Sequence, residues 1–142
     1  MKTLKFNQFV NEQFANGNDS YGTYFASLLG LRDQAHIFHW QTESFARHQA
    51  FGDFYTAFLA ATDVLAEMIM GIKGRPVLGG PATINLVDYS DAAVETFIED
   101  SYSLLGEELK AICDEVEHEE VFDQARVILA EVDKLKYLLT LD

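Results

Sequence analysis

Gly71-Ile-Lys-Gly-Arg-Pro-Val-Leu-Gly-Gly-Pro81 interrupts a chain that is otherwise patterned for helix, and it decides how the helices connect. Both prolines of the sequence, Pro76 and Pro81, fall in this one stretch. Proline lacks the amide donor and glycine is a poor helix former, so a helix must end here. The irregular run continues through Ile84-Asn85-Leu86 to Ser90. That makes a connection of about 20 residues, and an extended chain covers up to ~3.3 Å per residue. It can travel the whole ~35 Å of a helix of about 24 residues.

Apolar positions spaced near 3.6 flank the linker on both sides, the mark of amphipathic helices. The first helix is expected from about Ser20 to Trp40, with Tyr24, Phe25, Leu28, Leu31, Ala35 and Phe38 inward and Asn18, Asp19 or Ser20 as N-cap. A short connection, Gln41 to Arg47, leads to a second from His48 to Gly71, built on Phe51, Phe54, Tyr55, Phe58, Thr62, Leu65, Ile69 and Ile72. The third runs from Asp91 to Glu117, with Val94, Phe97, Ile98, Leu104, Leu105, Leu109, Ile112 and Val116 inward. The fourth runs from Glu119 to Leu139 on Phe122, Ala125, Ile128, Leu129, Val132, Leu135 and Leu138. Short connections make two antiparallel hairpins. One long crossover between them is the plan of an all-α, ferritin-like four-helix bundle; a meandering loop in an up-down-up-down bundle is the competing plan.

The 142 residues are read as one domain, with the bundle over residues 20–140. Residues 1–19 form a short amphipathic segment, Leu4, Phe6, Phe9, Val10 and Phe14, followed by a turn at Asn16-Gly17-Asn18-Asp19. The formal charge of −13 argues against direct nucleic-acid binding, which needs a cationic surface to neutralise phosphates. No apolar run approaches the ~20 residues of a bilayer span, and no basic-then-apolar leader is seen, so a cytoplasmic protein is expected. Cys113 is alone, which excludes an internal disulfide.

Chemistry-bearing side chains concentrate in one window: His36, His39-Trp40, His48, Asp63 and Glu67. Carboxylate and imidazole suit divalent iron, and they also accept manganese or zinc. Asp63 and Glu67 are i, i+4 on the second helix, one turn apart, so both can reach one ion. No basic residue stands at i±3 or i±4 from either, which is unusual for a stabilising surface pair. His48 lies fifteen residues before Asp63, about 22 Å along the same helix, and cannot share that ion within one chain. A site made from this set must be completed by a second copy.

These residues carry a resemblance. His39-Trp40 with His48, then Phe54-Tyr-Thr56-Ala57 and Asp63-x-x-x-Glu67, resemble the ferroxidase signature of the Dps mini-ferritins. The likeness extends over residues 20–140, through the Gly79-Gly80 linker to Phe122-Asp-Gln-Ala and Asp133-Lys-Leu-Lys-Tyr-Leu-Leu. It implies a homo-oligomer, at least a dimer and in typical members a hollow dodecamer. Fe(II) would be oxidised at the dimer interface, usually by hydrogen peroxide, and stored as ferric mineral. His39 and His48 would be imidazole ligands facing Asp63 and the bridging Glu67 of a second subunit. Trp40 would be a nearby sink for oxidising equivalents.

The sequence departs from the family pattern at three places. The stretch between His39 and His48 is about three residues short, so His36 competes with His39. Gly52 stands where an acid is usual, with Asp53 displaced by one position. No lysine-rich terminal tail is present to coat DNA. These departures leave ferroxidase turnover open. They also motivate the alternative: a ferritin-like structural or interaction protein, of phage type, that has lost the activity. The Met-Lys opening and Phe-x-x-Phe-like run do resemble the N-termini of some tailed-phage virion proteins. The remaining motifs point to no second site. Glu115-Val-Glu-His118 is a lone Glu-x-x-His, and the glycine-rich linker lacks the Gly-Lys-Ser/Thr of a phosphate loop.

Overall fold

The computed structural model describes residues 20–77 and 85–141; the expected amphipathic segment and the N-cap candidates Asn18 and Asp19 lie outside them, while Ser20 is the first helical residue. The described residues are helical, with no strand: α1 (Ser20–Gln41), α2 (Phe45–Lys73), α3 (Asp91–Leu105), a single turn α4 (Glu107–Lys110) and α5 (Glu119–Leu138). Together they form a helical bundle of four long helices.

Local chemistry sets the ends. α2 starts three residues earlier than expected because Ser44 caps it, its hydroxyl accepting the Arg47 amide at 3.2 Å. It stops at Gly74, which takes φ +85° and donates its amide to the Met70 carbonyl. The left-handed conformation is open to glycine at little cost, so the helix is closed where the breakers begin. Ser90 caps α3 in the same way, accepting from Ala93 N at 3.0 Å.

The third helix is shorter than the sequence pattern suggests. It breaks at Gly106 (φ −118°, ψ −95°), and the chain continues as α4 and a series of turns. Leu109, Ile112 and Cys113 are still buried, so the apolar spacing misread turns as helix. Asp114 organises the last turn by accepting from Val116 N and Glu117 N at 2.9 and 3.0 Å. Val116, expected inward, is 83% exposed, and Ile72 is also exposed.

Pairwise contacts give the helix directions. His39 meets His48 and Phe38 meets Phe51, so α1 and α2 are antiparallel. Arg47 Nη2 donates to the Leu139 carbonyl and Gln124 Nε2 to the Ala61 carbonyl, so α2 and α5 are antiparallel as well. Tyr24 donates to the Leu104 carbonyl at 3.0 Å while Phe38 packs on Phe97, which makes α1 and α3 antiparallel. At the start of α3, Asp91 pairs with Arg47 near the start of α2 at 3.1 Å, and Phe97 packs on Phe54. α2 and α3 therefore point the same way.

The segment leading into α3 is held by two glutamines two turns apart on α1. Gln34 both donates to the Val87 carbonyl and accepts from its amide, each at 2.9 Å. Gln41 donates to Asp88 Oδ1 at 3.0 Å and accepts from Tyr89 N at 2.6 Å. These amides supply the partners that an extended backbone needs.

The core is one cluster of buried side chains from all the helices, centred on Phe38, Phe51, Phe58, Leu65, Ile69, Leu109, Ile128 and Val132. α2 is the most central element, and by length and composition it is long and apolar enough to cross a membrane, contrary to the expectation that no segment is. Its buried stripe faces α1 and α5, while Leu59, Val64 and Ile72 are exposed. Cys113 is buried, and burial pushes its thiol up from the ordinary value, away from the reactive thiolate.

Gln34 is itself buried, so its loss should be felt. Replacing Gln34 by Ala is expected to cost about 1–2 kcal/mol, because two hydrogen bonds go and the exposed Val87 turns to water. Urea unfolding should show a lower midpoint at unchanged slope; an unchanged midpoint would mean the clamp contributes nothing.

Candidate metal centre

The α1–α2 hairpin turns within residues 42–44, which sets the last turns of α1 against the first turns of α2. The histidines meet for this reason. The rings of His39 and His48 stack with centroids 3.8 Å apart and planes 18° from parallel. His39 Nδ1 lies 2.7 Å from the His48 carbonyl, and His48 Nδ1 lies 2.8 Å from the His39 carbonyl. A carbonyl only accepts, so each Nδ1 carries a proton, and a ring with that single proton has its lone pair on Nε2. Metal-bound histidines are usually oriented by this kind of bond from the second ring nitrogen. The same bonds also serve the fold. The His39 carbonyl is in the last turn of α1, where helix carbonyls lack an intrahelical partner, and His48 supplies one.

His36 takes a different place. It lies between Trp40 (centroids 4.2 Å) and Tyr55 (4.3 Å, 21° from parallel), 6.0 Å from the His39 ring. Tyr55 is also 5.4 Å from the His39 ring, nearly perpendicular to it. Trp40 is 65% exposed at the tip of the hairpin, its ring against that of His36. Trp40, His36, Tyr55, His39 and His48 thus form one continuous aromatic group. Sequence reading placed Tyr55 on the inward face of the second helix and within the resembling Phe54-Tyr-Thr56-Ala57 run, without predicting its contact with His36.

The carboxylates are elsewhere. Asp63 and Glu67 are exposed on α2, which is unbroken from Phe45 to Lys73, so the ~22 Å separation from His48 holds. Asp63 lines an apolar groove between α1 and α2 with Phe25, Leu28, Leu59 and the guanidinium-bearing Arg32. Arg32 pairs with Asp33 at 3.0 Å. Glu67 lines a second hollow with Met70 and Arg75. Asp53 is exposed on α2, five residues beyond His48. Among the described residues no three His, Cys, Asp or Glu side chains converge as a metal site. Glu115 forms ion pairs with Lys110 (3.7 Å) and Arg126 (3.4 Å), the ordinary use of an acid in a turn.

Comparison with known proteins places the chain among distant relatives of stress proteins. It is 25% identical to general stress protein 20U of Bacillus subtilis (strain 168) over 145 residues, covering 93% of this chain and 92% of that protein. It is 27% identical to the DNA protection during starvation protein of Brevibacillus brevis over 127 residues, covering 80% and 85%. These likenesses support a Dps-like relationship. No solved structure matches the chain significantly. A family described as one of unknown function, DUF5856, matches residues 39–139, a span that opens on His39 and takes in every candidate ligand but His36. The chain belongs to that family, DUF5856.

Proposed function

We propose that the protein is a Dps-like ferroxidase that binds Fe(II) at sites shared between two subunits, oxidises it with hydrogen peroxide, and stores or detoxifies the product. The observation that carries this reading is the paired imidazoles, each with Nδ1 committed to a carbonyl and Nε2 free. Rings so nearly parallel cannot both aim in-plane lone pairs at one ion. They suit one imidazole per ion in a two-ion site, where ions stand about 3.5–4 Å apart. Asp63 and Glu67 of a second copy supply the carboxylates, with His39 and His48 as the imidazole ligands. His36, stacked on Tyr55 and tilted against Trp40, belongs to the wall of the site, with Trp40 as the outermost group that can give up an electron.

Each of two Fe(II) ions gives one electron to the peroxide, whose O–O bond breaks to water-level oxygen. Iron is the substrate here. Manganese and zinc, which the same donors accept, compete for the site. The parallel course of α2 and α3 supports reading the bundle as ferritin-like, with one long crossover between them. The apolar groove beside Asp63 is read as part of the dimer face, and a dodecameric shell is the largest assembly expected. The acidic surface draws cations inward and disfavours direct DNA binding. We place the protein in the cytoplasm of a bacterium or phage-infected cell.

Anaerobic Fe(II) titration of metal-free protein, followed by peroxide, tests the reading through ferric absorbance and particle size together. Saturable binding and fast oxidation on an oligomer are expected; oxidation no faster than that of free iron would sink it. Replacing both His48 and Glu67 by Ala should abolish rapid oxidation while leaving helicity intact. Shared sites make a sharper prediction. Co-expressing the H39A/H48A and D63A/E67A chains should restore about a quarter of the activity, since mixed two-fold dimers hold one intact site of two. No recovery would exclude inter-subunit sites.

A second reading has its own support. The reciprocal His39–His48 bonds lock the hairpin without any metal, as in a ferritin-like scaffold that has lost ferroxidase activity. As a lock, His48→Ala should cost about 0.5–1.5 kcal/mol in metal-free protein, while His48→Gln, whose amide still donates, keeps most of it. Equal stability of all three proteins in urea would remove the lock and leave the histidines to chemistry alone.

A further inference from the structure

Gly52 lies one turn beyond His48 on α2, and the space its side chain would take is filled by the His39 ring. A Cβ built there would stand 3.0 Å from Cε1 and 3.2 Å from Nδ1 of that imidazole. Such contacts are closer than packed carbon atoms accept. The ring has little room to retreat. Its Nδ1 is tied to the His48 carbonyl at 2.7 Å, its face lies on the His48 ring at 3.8 Å, and Tyr55 stands across its edge at 5.4 Å. The other glycine inside α2, Gly71, has nothing within 4 Å of its absent Cβ. Mid-helix glycine is ordinarily a weakness that alanine repairs. At Gly71 that rule should hold. At Gly52 the imidazole opposes it.

We propose that Gly52 is a positioning residue whose bare α-carbon seats the His39 imidazole against the His48 carbonyl and so presents Nε2 to a divalent cation. The cation part rests on the proposed metal-binding reading; the seating does not. The same absence also sets the donor character. No side chain from position 52 joins the imidazoles, so that position adds no carboxylate oxygen and the donors it seats are imidazole nitrogens. That favours borderline ions such as Fe(II), Co(II) and Zn(II) over Mg(II) or Ca(II).

The test is a double-mutant cycle on the full chain, joining Gly52→Ala with His39→Ala, and Gly71→Ala as reference. Thermal unfolding follows stability. Imidazole nitrogen NMR of histidine-labelled protein follows the His39 tautomer. Gly71→Ala should raise the unfolding midpoint. Gly52→Ala should lower it and erase the Nδ1–H signal of His39. In the His39→Ala background, where the obstructing ring is gone, the same Gly52→Ala change should raise the midpoint. This reversal of sign keeps the test decisive even if the single variant folds poorly. Co(II), followed by its visible absorption, should bind the Gly52→Ala protein roughly tenfold or more weakly than wild type. A Gly52→Ala protein that is stabilised like Gly71→Ala and keeps the His39 signal overturns the proposal. Wild-type protein that takes up no Co(II), with the stability cycle behaving as expected, overturns the metal reading and leaves the seating of His39 standing.

Discussion

The register of the α1–α2 hairpin governs the rest of the molecule. Its turn is only three residues long, so every pair of facing side chains is fixed once the turn closes at Ser44. The same register sets Phe38 on Phe51 in the core and His39 on His48 at the rim. Phe38 also reaches Phe97 and Tyr89, which ties α3 and the segment before it to the hairpin. Slipping α1 by one residue turns it by about 100° and would take the ring from the core and the imidazole from its partner together. Core and candidate site are thus specified by one geometric decision.

A rigid α2 is the second constraint. A continuous helix keeps residues fifteen apart on a fixed vector, and no side chain is long enough to close that distance. The histidines and the acidic pair are therefore permanently separate within one chain. Whatever joins them must come from outside the subunit, and the two ends of α2 differ in kind. The histidine end is partly enclosed by aromatic rings, while Asp63 and Glu67 stand exposed beside an apolar groove.

Much of this was legible in the sequence, and what was not has identifiable causes. Helix positions followed from apolar spacing, and the long connection followed from Pro76, Pro81 and the glycines around them. The separation of His48 from Asp63 needed only the helical rise. The end of the third helix was misplaced because Leu109, Ile112 and Val116 continue a helical period across Gly106, and one glycine does not by itself announce a break. Asp114 collecting two amides was the missing signal. The different surroundings of His36 and His39 also escaped the sequence, since both lie on one face of α1. Tertiary contacts distinguish them: one ring is bonded to a carbonyl, the other is held between aromatic rings. Gly52 read as a lost acid. In the structure it is a vacancy shaped for a ring that comes from another helix, which no local pattern contains.

Trp40 is the sole indole of the chain, two-thirds exposed and resting on His36 at the hairpin tip. Its emission is therefore a built-in optical probe with a strongly local view. A change in the imidazole group alters the ring directly beneath the fluorophore. The acidic pair near the other end of α2 begins about 12 Å beyond Tyr55 along the helix, outside that contact range. Light from one native side chain can thus distinguish an event at the histidine end of a subunit from one confined to its carboxylate end, with no label attached.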